Sequence, residues 1–458
     1  MLSNSLIEMD RAHLIHPVSS YRGHERVGAR ILKSAKGARV TDASGHELVD
    51  GFAGLWCVNA GYGHDSIVEA AARQMRTLPY ATGYFDLASE PAIRLASELV
   101  DRAPGALKHI YFTLGGSDAV DSTVRFIRYY QHARGKPQKD QFISLEQGYH
   151  GSSTVGAGLT ALPAFHEGFG IPLDWQHKIP SPYPYRNPVG SSTEAIIQAS
   201  LAALRAKVEQ LGPERVAAFY AEPIQGSGGV IVPPPGWLKA MRELCRELDI
   251  LFVADEVITG FGRTGPLFAC QDEGVDPDFM TTAKGLTSGY VPMGALFMSD
   301  HVYQTIADGA GAKAVGHGYT YSAHPVSAAV GLEVLKLYEN GLLENGRKAG
   351  KRLMAGLAAL ADHPLVGEVR GRGMLAAVEL VTDKAKKTPL PAAADPSRRI
   401  FDRAWTNGLV IRAFGNGILG FAPPLCCTDK DIDLIIERTR LTLDQTLVDP
   451  DVWARMAA

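Results

Sequence analysis

One lysine stands alone in a long uncharged stretch of this sequence. Residues 279–299 read FMTTAKGLTSGYVPMGALFMS, and Lys284 is their only charged side chain. Burial in such surroundings lowers the pKa of an ammonium group and favours the neutral amine, the form that makes a Schiff base with an aldehyde. The alternative is a lysine whose stem covers apolar surface while its ammonium stays in water. The stretch makes Lys284 a candidate nucleophile.

An acidic residue ends the apolar run ILFVA, residues 250–254. If this run is a strand of a parallel sheet, Asp255 lies at its carboxyl end, where α/β sheets bind ligands. A buried carboxylate is costly unless it meets a positive group, and a protonated pyridine nitrogen is such a group. Asp255 is therefore a candidate partner for a heterocyclic cation, or else an acid that caps the next segment.

A glycine turn follows the apolar run 109–113, HIYFT, and leads into an amphipathic helix. The free amides at the start of that helix, with the hydroxyl of Ser117 beside Gly116, are suited to a phosphate. Ser117 as a plain N-cap is the alternative, and the two roles are compatible. Asp118 and Asp121 would repel a phosphate unless their carboxylates point away from it.

Other patterns of the sequence point away from nucleotide and metal chemistry. Residues 260–265, GFGRTG, match a dinucleotide-binding pattern, but Pro266 follows at the place where that motif needs a helix. There is no GxxxxGK[ST] and no HExxH, and the 14 histidines are scattered without ligand spacing. We therefore expect no nucleotide site at residues 260–265 and no metal site.

The elements that must position these residues alternate between helices and short apolar strands. Strands are predicted at 109–113, 141–145, 216–221 and 250–254, each a continuous apolar run typical of parallel strands covered on both faces. The two chain ends combine strands with helices. The expected fold is α/β, with a large, mainly parallel-sheet domain over residues 60–325. A smaller α+β domain is expected from residues 1–59 and 326–458.

Bulk properties exclude several classes of protein. A formal net charge of −3 offers no field for nucleic acid or an anionic membrane. No stretch approaches the roughly 20 apolar residues needed to span a bilayer, and the first 30 residues show no secretory signal. Five cysteines without a CxxC spacing favour reduced thiols and a cytoplasmic protein.

Several motifs together resemble those of class III aminotransferases. They are the GGS turn, QGYHG (147–151), AEPIQG (221–226), VADEVITGFGRTG (253–265) and TTAKGLTSGYVPMGA (281–295). Their order and spacing agree with the family across almost the whole chain. The resemblance implies fold type I and the cofactor pyridoxal 5'-phosphate (PLP). In one departure, Val120 stands where the family's phosphate turn usually has Asn.

The resemblance also implies roles for individual residues. Lys284 would hold the cofactor and then move the proton, and Asp255 would pair with the pyridine nitrogen. The remaining implied cofactor contacts are Val257 and Tyr149 on the two ring faces, Gly116 and Ser117 at the phosphate, Thr320 at the phosphate from the other subunit of a homodimer, and Glu222 near the ring hydroxyl.

Within the family, the chain resembles the amine, or omega, transaminase branch. The implied substrate-binding residues are Leu55, Trp56, Tyr84, Phe85, Ser227 and Arg412. Arg412 aligns with a mobile arginine that binds a carboxylate; the alternative is an edge-strand arginine covering apolar surface. Trp56 and Tyr84 fit a substrate pocket or a hydrophobic core.

The implied reaction takes an amino group from an amine or ω-amino acid and gives it to a keto acid, with pyruvate expected, in two half-reactions. Another fold type I activity, such as an aminomutase, a racemase or a decarboxylating transaminase, is the alternative, because these share the lysine and the aspartate. A nucleotide-dependent oxidoreductase would rest on the glycine pattern excluded above.

Overall fold

A computed structural model describes residues 2–391 and 395–449, with side chains from residue 6. The helices are α1 (Leu2–His13), α2 (Tyr21–Val27), α3 (Ala53–Trp56), α4 (Asp65–Thr77), α5 (Glu90–Val100), α6 (Gly116–Ala133), α7 (Thr154–Leu159), α8 (Thr193–Leu211), α9 (Trp237–Glu247), α10 (Asp300–Ala310), α11 (Pro325–Leu337), α12 (Leu343–Ala358), α13 (Pro396–Thr406) and α14 (Asp429–Leu447). The strands are β1 (Leu32–Lys36), β2 (Arg39–Asp42), β3 (Glu47–Asp50), β4 (Leu107–Thr113), β5 (Gln141–Leu145), β6 (Gln176–Ile179), β7 (Val216–Ala221), β8 (Leu251–Asp255), β9 (Phe279–Thr282), β10 (Gly294–Ser299), β11 (Val366–Arg372), β12 (Leu375–Asp383), β13 (Thr388–Pro389), β14 (Leu409–Val410), β15 (Arg412–Ala413) and β16 (Ile418–Phe421).

The central sheet has seven strands in the order β4-β10-β9-β8-β7-β5-β6. All four predicted strands belong to it. Strand β10 runs antiparallel to both of its neighbours, while the other adjacent pairs are parallel. The run 109–113 was expected to pair with parallel neighbours. That expectation is wrong for β4, which pairs only with β10. The sheet is mainly parallel, as predicted, and strands β5, β7, β8, β9 and β10 are buried along their whole length.

Strands from the two chain ends form the other sheets. The antiparallel pair β2 and β3 lies in a four-stranded sheet whose last member, β14, comes from beyond residue 400 and pairs in parallel with β3. Strands β11, β12, β16 and β15 form a further sheet, with β13 added to β12. The proposed domain boundaries near residues 60 and 325 stay a prediction.

Local sequence explains where the later helices begin. Pro325 is the first residue of α11, where its missing N–H costs no hydrogen bond. Thr428 caps α14 in a reciprocal capping box with Asp431. On α14, Ile432, Ile435 and Leu443 are buried and Ile436 is partly buried, which places these residues on the face that packs against the core. Among the described residues, none of the helices combines the length and the apolar character that crossing a bilayer requires.

Candidate active site

A cavity of about 470 Å³ lies where β4, β7, β8 and β9 end. It collects most of the site residues proposed from the sequence: Leu55, Trp56, Gly116, Ser117, Tyr149, Glu222, Ser227, Asp255, Val257, Lys284 and Arg412. Three others, Tyr84, Phe85 and Thr320, are not among its lining residues. Parallel strands direct their carboxyl ends to one edge of a sheet, which explains why residues far apart in sequence meet here.

Lys284 lies two residues beyond the end of β9 and has a left-handed backbone, with φ of +40°. Few residues other than glycine adopt this conformation, and such strain concentrates at functional sites. The side chain is half-buried, and its Nζ lies 5.8 Å from the centre of the Trp56 ring. Burial lowers the pKa of the ammonium, opposed by nearby Cys57, Asp255 and Glu222. The neutral amine expected of a nucleophilic lysine is thereby favoured.

Asp255 ends β8 and is almost completely buried. Its Oδ1 accepts a hydrogen bond from the amide of Val257 at 3.1 Å, and its Oδ2 lies 2.8 Å from Nδ1 of His150. Because an ionised carboxylate only accepts, the shared proton belongs to Nδ1 of the imidazole. His150 is buried too, and its Nε2 has no hydrogen-bond partner among the described residues. The pair orients Asp255 within the cavity.

Glu222 lies one residue beyond β7 and is buried beside the same cavity. Its two oxygens each accept a backbone hydrogen bond at 2.9 Å, from the amides of Tyr149 and Gly226. Burial, with the charge of Asp255, raises the pKa of Glu222 to about 8. At neutral pH the carboxyl therefore keeps its proton, so it can donate a hydrogen bond.

Helix α6 begins at Gly116, and the first-turn amides of a helix have no partner within it. A Cβ at Gly116 would lie 3.0 Å from Val257 Cγ1, so glycine is needed for this close approach. Ser117 is not the N-cap, since Gly115 takes that position. The Ser117 hydroxyl accepts a hydrogen bond from the amide of Ser152 at 3.1 Å. The amides and the hydroxyl together form a binding site suited to an anion.

The two acidic residues of this helix differ in what they contact. Asp121 Oδ1 accepts hydrogen bonds from Ser153 Oγ at 2.6 Å and from the amide of Gly156 at 3.0 Å. Its carboxylate is thus used at the start of α7 and does not line the cavity. Asp118 does not line the cavity either, and burial raises its pKa. Val120 is buried in the hydrophobic core, so the family's Asn position has become a packing position.

Aromatic side chains and the guanidinium of Arg412 line the mouth of the cavity. The Trp56 ring packs 4.5 Å from Phe52 and 6.2 Å from Phe414, so Trp56 belongs to a core cluster while also lining the cavity. The Arg412 guanidinium lies 5.4 Å from the centre of the Phe414 ring. Its residue is exposed, and it makes no hydrogen bond or ion pair with any described residue. The predicted turn that follows Phe414 closes with a hydrogen bond from the Gly417 amide to the Phe414 carbonyl.

The three predicted residues outside the cavity share a separate surface. Tyr84 and Phe85 have ring centres 5.9 Å apart, and Phe85 is 86% exposed, so neither is a core residue. Tyr80 Oη donates a hydrogen bond to the carbonyl of Thr320 at 2.9 Å, which brings the exposed Thr320 to the same surface. Within this chain these three residues are therefore apart from the cavity.

Some cavity residues were not proposed from the sequence. They are Pro17, Val18, His150, Gly151, Leu162, Phe165, Ile258, Ala283 and Phe414. His150 lies next to Tyr149 in the QGYHG motif. Its place inside that motif could have indicated that it belongs to the site. The apolar residues carry no such sign, because an apolar side chain looks alike in sequence whether it packs in a core or lines a cavity.

Comparisons with known proteins agree with this geometry. The sequence matches the family model Aminotransferase class-III over residues 21–443. It is 41% identical over 440 residues to putrescine–pyruvate aminotransferase of Pseudomonas aeruginosa, covering 96% of this chain and 95% of that protein. A diaminobutyrate–2-oxoglutarate transaminase of Halomonas elongata is 37% identical, with 96% of each chain covered.

Solved structures give the same result. The (S)-enantioselective omega-transaminase from Thermomicrobium roseum superimposes with a TM-score of 0.94 at 38% identity, over 97% of this chain and 99% of that one. The omega transaminase from Pseudomonas jessenii in complex with PMP gives 0.94 at 39% identity, over 96% and 98% of the two chains. The chain belongs to the class III aminotransferases. It has the fold of PLP enzymes of type I and is a PLP-dependent aminotransferase.

The residues of the cavity fit that cofactor. A lysine with a lowered pKa, a buried carboxylate and unpaired helix amides are the groups that an aldehyde, a pyridine nitrogen and a phosphate require. At Gly116, beside the helix amides, a side chain would press against Val257. When bound, PLP supplies an aldehyde that takes up an amino group and a ring that stores an electron pair.

Proposed function

We propose that this aminotransferase takes an amino group from an amine or an ω-amino acid and gives it to pyruvate. The observation that carries the proposal is Arg412, an exposed cation at the mouth of an otherwise aromatic cavity with no partner among the described residues. A guanidinium binds a carboxylate through two parallel hydrogen bonds. A keto acid has such a carboxylate, whereas a simple amine meets the aromatic wall instead. The relative named for putrescine and pyruvate supports this choice of substrates.

The chemistry proposed for the cavity divides among a few side chains. Lys284 Nζ would hold the cofactor through its aldehyde, and the neutral lysine amine would accept the proton from the substrate carbon that bears nitrogen. The lowered pKa of Lys284 supports the second task. Asp255 would pair with the pyridine nitrogen, and His150 lies 2.8 Å from that carboxylate and orients it. Glu222, whose pKa is raised to about 8, would donate a hydrogen bond to the ring hydroxyl.

The remaining contacts position the cofactor and the substrate. We propose that Gly116 and Ser117 bind the phosphate, while Val257 and Tyr149 cover the two faces of the ring. Leu55, Trp56 and Ser227 would then contact the substrate, since they line the same cavity.

Arg412 must admit two kinds of substrate, so we propose that its side chain moves. It lies in a two-residue strand, directly before the turn at residues 415–417. A short strand next to a glycine turn gives its side chain freedom to swing toward the cavity or into solvent. Pointing in, it binds the carboxylate of pyruvate; pointing out, it leaves space for an uncharged amine.

We propose a homodimer in which each chain completes the other's active site. The surface around Tyr84 and Phe85 exposes large apolar side chains, including Leu87 at 57% and Tyr321 at 55% exposed. Exposed apolar clusters of this kind mark protein–protein contacts. Thr320 from the partner subunit would then reach the phosphate, while Tyr84 and Phe85 would close the substrate pocket.

The dimer has a direct test. Thr320→Ala should weaken cofactor binding by about tenfold to a hundredfold, since a hydrogen bond to a charged group such as a phosphate contributes about 1.5–3 kcal/mol. Mixing this variant with Lys284→Ala should form heterodimers in which one site keeps both Thr320 and Lys284, and that site should bind cofactor as tightly as the wild type. Sedimentation of the fully active, PLP-loaded enzyme as a monomer would contradict the proposal.

The substrate proposal is tested by a donor panel with competing acceptors. Purified enzyme is given diamines, ω-amino acids and aryl amines, with pyruvate and 2-oxoglutarate present together. We expect alanine to form faster than glutamate with donors that lack an α-carboxylate. Faster glutamate formation would assign 2-oxoglutarate as the acceptor, and a racemised or decarboxylated product would assign another fold type I activity.

We also propose that the enzyme acts in the cytoplasm. Its five cysteines are all free thiols. Unpaired thiols are typical of reducing compartments.

A further inference from the structure

Three polar side chains near the start of the chain converge on one point. Asp10 comes from α1, His24 from α2, and His16 from the segment between the two helices. Asp10 Oδ1 lies 2.7 Å from His16 Nε2, and Asp10 Oδ2 lies 2.9 Å from His24 Nε2. The centres of the two imidazole rings are 4.5 Å apart. All three residues are only partly exposed, so this is not a solvated surface pair.

Hydrogen bonding satisfies only half of this cluster. His16 Nε2 and Asp10 Oδ1 form a hydrogen bond. Asp10 Oδ2 and His24 Nε2 are buried atoms without a hydrogen-bond partner among the described residues, although they lie 2.9 Å apart. A buried polar atom without a partner is costly, and such atoms in a native structure often mark a missing ion or water. Both atoms would be satisfied if they shared a cation.

We propose that Asp10, His16 and His24 form a binding site for a divalent transition-metal ion, Zn²⁺ being the ion that suits them. Two imidazole nitrogens and a carboxylate oxygen are the ligands that zinc accepts, and a water would take the fourth position. The three ligand atoms lie within 4.8 Å of one another. Tetrahedral zinc holds its ligands about 3.3 Å apart, so small side-chain rotations are enough to close the site.

Such a site would have a consequence for the cavity. The residues that follow His16, Pro17 and Val18, line the cavity that holds Lys284. Val18 is 73% exposed, so its side chain packs against little else. A metal ion bound at this site would link α1, α2 and the segment between them. Pro17 and Val18 lie in that segment. The ion would hold this part of the cavity wall in place without touching the chemistry.

The test is a zinc titration of the PLP-loaded enzyme after treatment with a chelator. We expect one Zn²⁺ per chain in isothermal calorimetry. Asp10→Asn, His16→Gln and His24→Gln should each weaken binding by tenfold or more, which corresponds to about 1.4 kcal/mol. His13→Gln is the matched control, because His13 is an exposed histidine in the last turn of the same helix and is not one of the three ligands.

Limited trypsin digestion gives a second readout that does not depend on activity. Arg11, Arg22 and Arg26 lie within the segment, and an ion that binds only its ordered form opposes local opening. Zn²⁺ should slow cleavage at these arginines in the wild type and in His13→Gln, and should not slow it in the three ligand variants. The absorbance of bound PLP reports whether each variant is folded.

Two results would overturn the metal site. One is a wild-type enzyme that binds no Zn²⁺ at micromolar concentrations, in which case the cluster is a hydrogen-bonded trio only. The other is zinc binding that all three ligand variants retain at the affinity of His13→Gln, which would place the ion elsewhere.

Discussion

The floor of the cavity and its rim are built in different ways. We define the floor as Lys284, Asp255, Glu222 and His150, which follow or end strands of the central sheet. Hydrogen bonds to one another or to backbone amides hold Asp255, Glu222 and His150. The rim consists of Leu55, Arg412 and Val18, whose residues are exposed. The floor is the part that we propose carries out the reaction, and the rim is the part that we propose selects the substrate. Substitutions in the floor should lower the rate with every substrate alike. Substitutions in the rim should change the rate with some substrates and not with others.

The largest effect is expected from Lys284→Ala. Loss of the nucleophile and of the group that moves the proton should reduce turnover by about 10⁴-fold or more with every donor, since proton transfer alone contributes 10²–10⁴-fold. Steady-state rates with two donors and the absorbance of bound cofactor measure this.

A second buried lysine provides the control. Burial lowers the pKa of Lys178 to about 7, yet its Nζ donates to the carbonyl of Gly158 and does not line the cavity. Lys178→Met should therefore keep bound cofactor and most activity. Near wild-type turnover by Lys284→Ala would refute the assignment of the floor.

The next effect is expected from Asp255→Asn. The amide cannot hold the pyridine nitrogen protonated, so kcat should fall by about 10²–10³-fold, the usual cost of removing one electrostatic partner from an active site. Cofactor content should fall much less, because the lysine and the anion-binding site remain.

The variant His150→Asn separates chemistry from positioning. It leaves the carboxylate in place without its 2.8 Å partner, so the loss of kcat should be smaller than for Asp255→Asn. Equal losses of kcat and of cofactor content in Asp255→Asn would show that this aspartate is structural.

The rim is tested by Arg412→Ala. Loss of a two-bond, charged contact should cost about 1.5–3 kcal/mol, so KM for pyruvate should rise about tenfold to over a hundredfold. The half-reaction with a carboxylate-free amine should be unchanged or faster. Stopped-flow measurement of each half-reaction separates the two.

The variant Arg412→Lys keeps the charge and loses the two-pronged geometry, so its KM should lie between those of the wild type and Arg412→Ala. If both half-reactions of Arg412→Ala slowed equally, Arg412 would be a structural residue and the difference between floor and rim would disappear.

The last effect concerns the stability of the cofactor-free protein rather than its activity. The pKa of Glu222 is raised to about 8, whereas an unfolded glutamate titrates near about 4.3. A group of this kind stabilises the fold fully below the unfolded pKa, and this contribution is lost as pH rises through the folded pKa. Between about pH 4.3 and pH 8, the free energy of unfolding should therefore fall by at most about 1.4 kcal/mol per pH unit relative to Glu222→Gln.

Denaturant unfolding of the cofactor-free protein at several pH values between 5 and 9 measures that slope. Glu69→Gln, at an exposed position of α4, is the control and should follow the wild type. Parallel pH profiles for wild type and Glu222→Gln would show that Glu222 is not held protonated by the fold.

Charged residues inside apolar runs could be proposed for the site from the sequence alone, for a physical reason. A charge inside an apolar run is costly wherever the run is buried, so Lys284 and Asp255 could be recognised without knowing the fold. The role of Ser117 as an N-cap was wrong, because Gly115 takes that position. Tyr84, Phe85 and Thr320 were assigned to the site by resemblance, and within one chain they lie on a separate surface.

The sequence by itself therefore indicated the class of chemistry, four of the seven strands of the central sheet, and Lys284 and Asp255 as the residues proposed to carry the reaction. These follow from local patterns: apolar runs, the turns that end them and isolated charges. Tertiary structure alone decided that His150 meets Asp255, and that Asp10 and two histidines with no recognisable ligand spacing converge near the cavity. Such contacts depend on how whole elements pack against each other, and the pattern around any single residue carries no information about that packing.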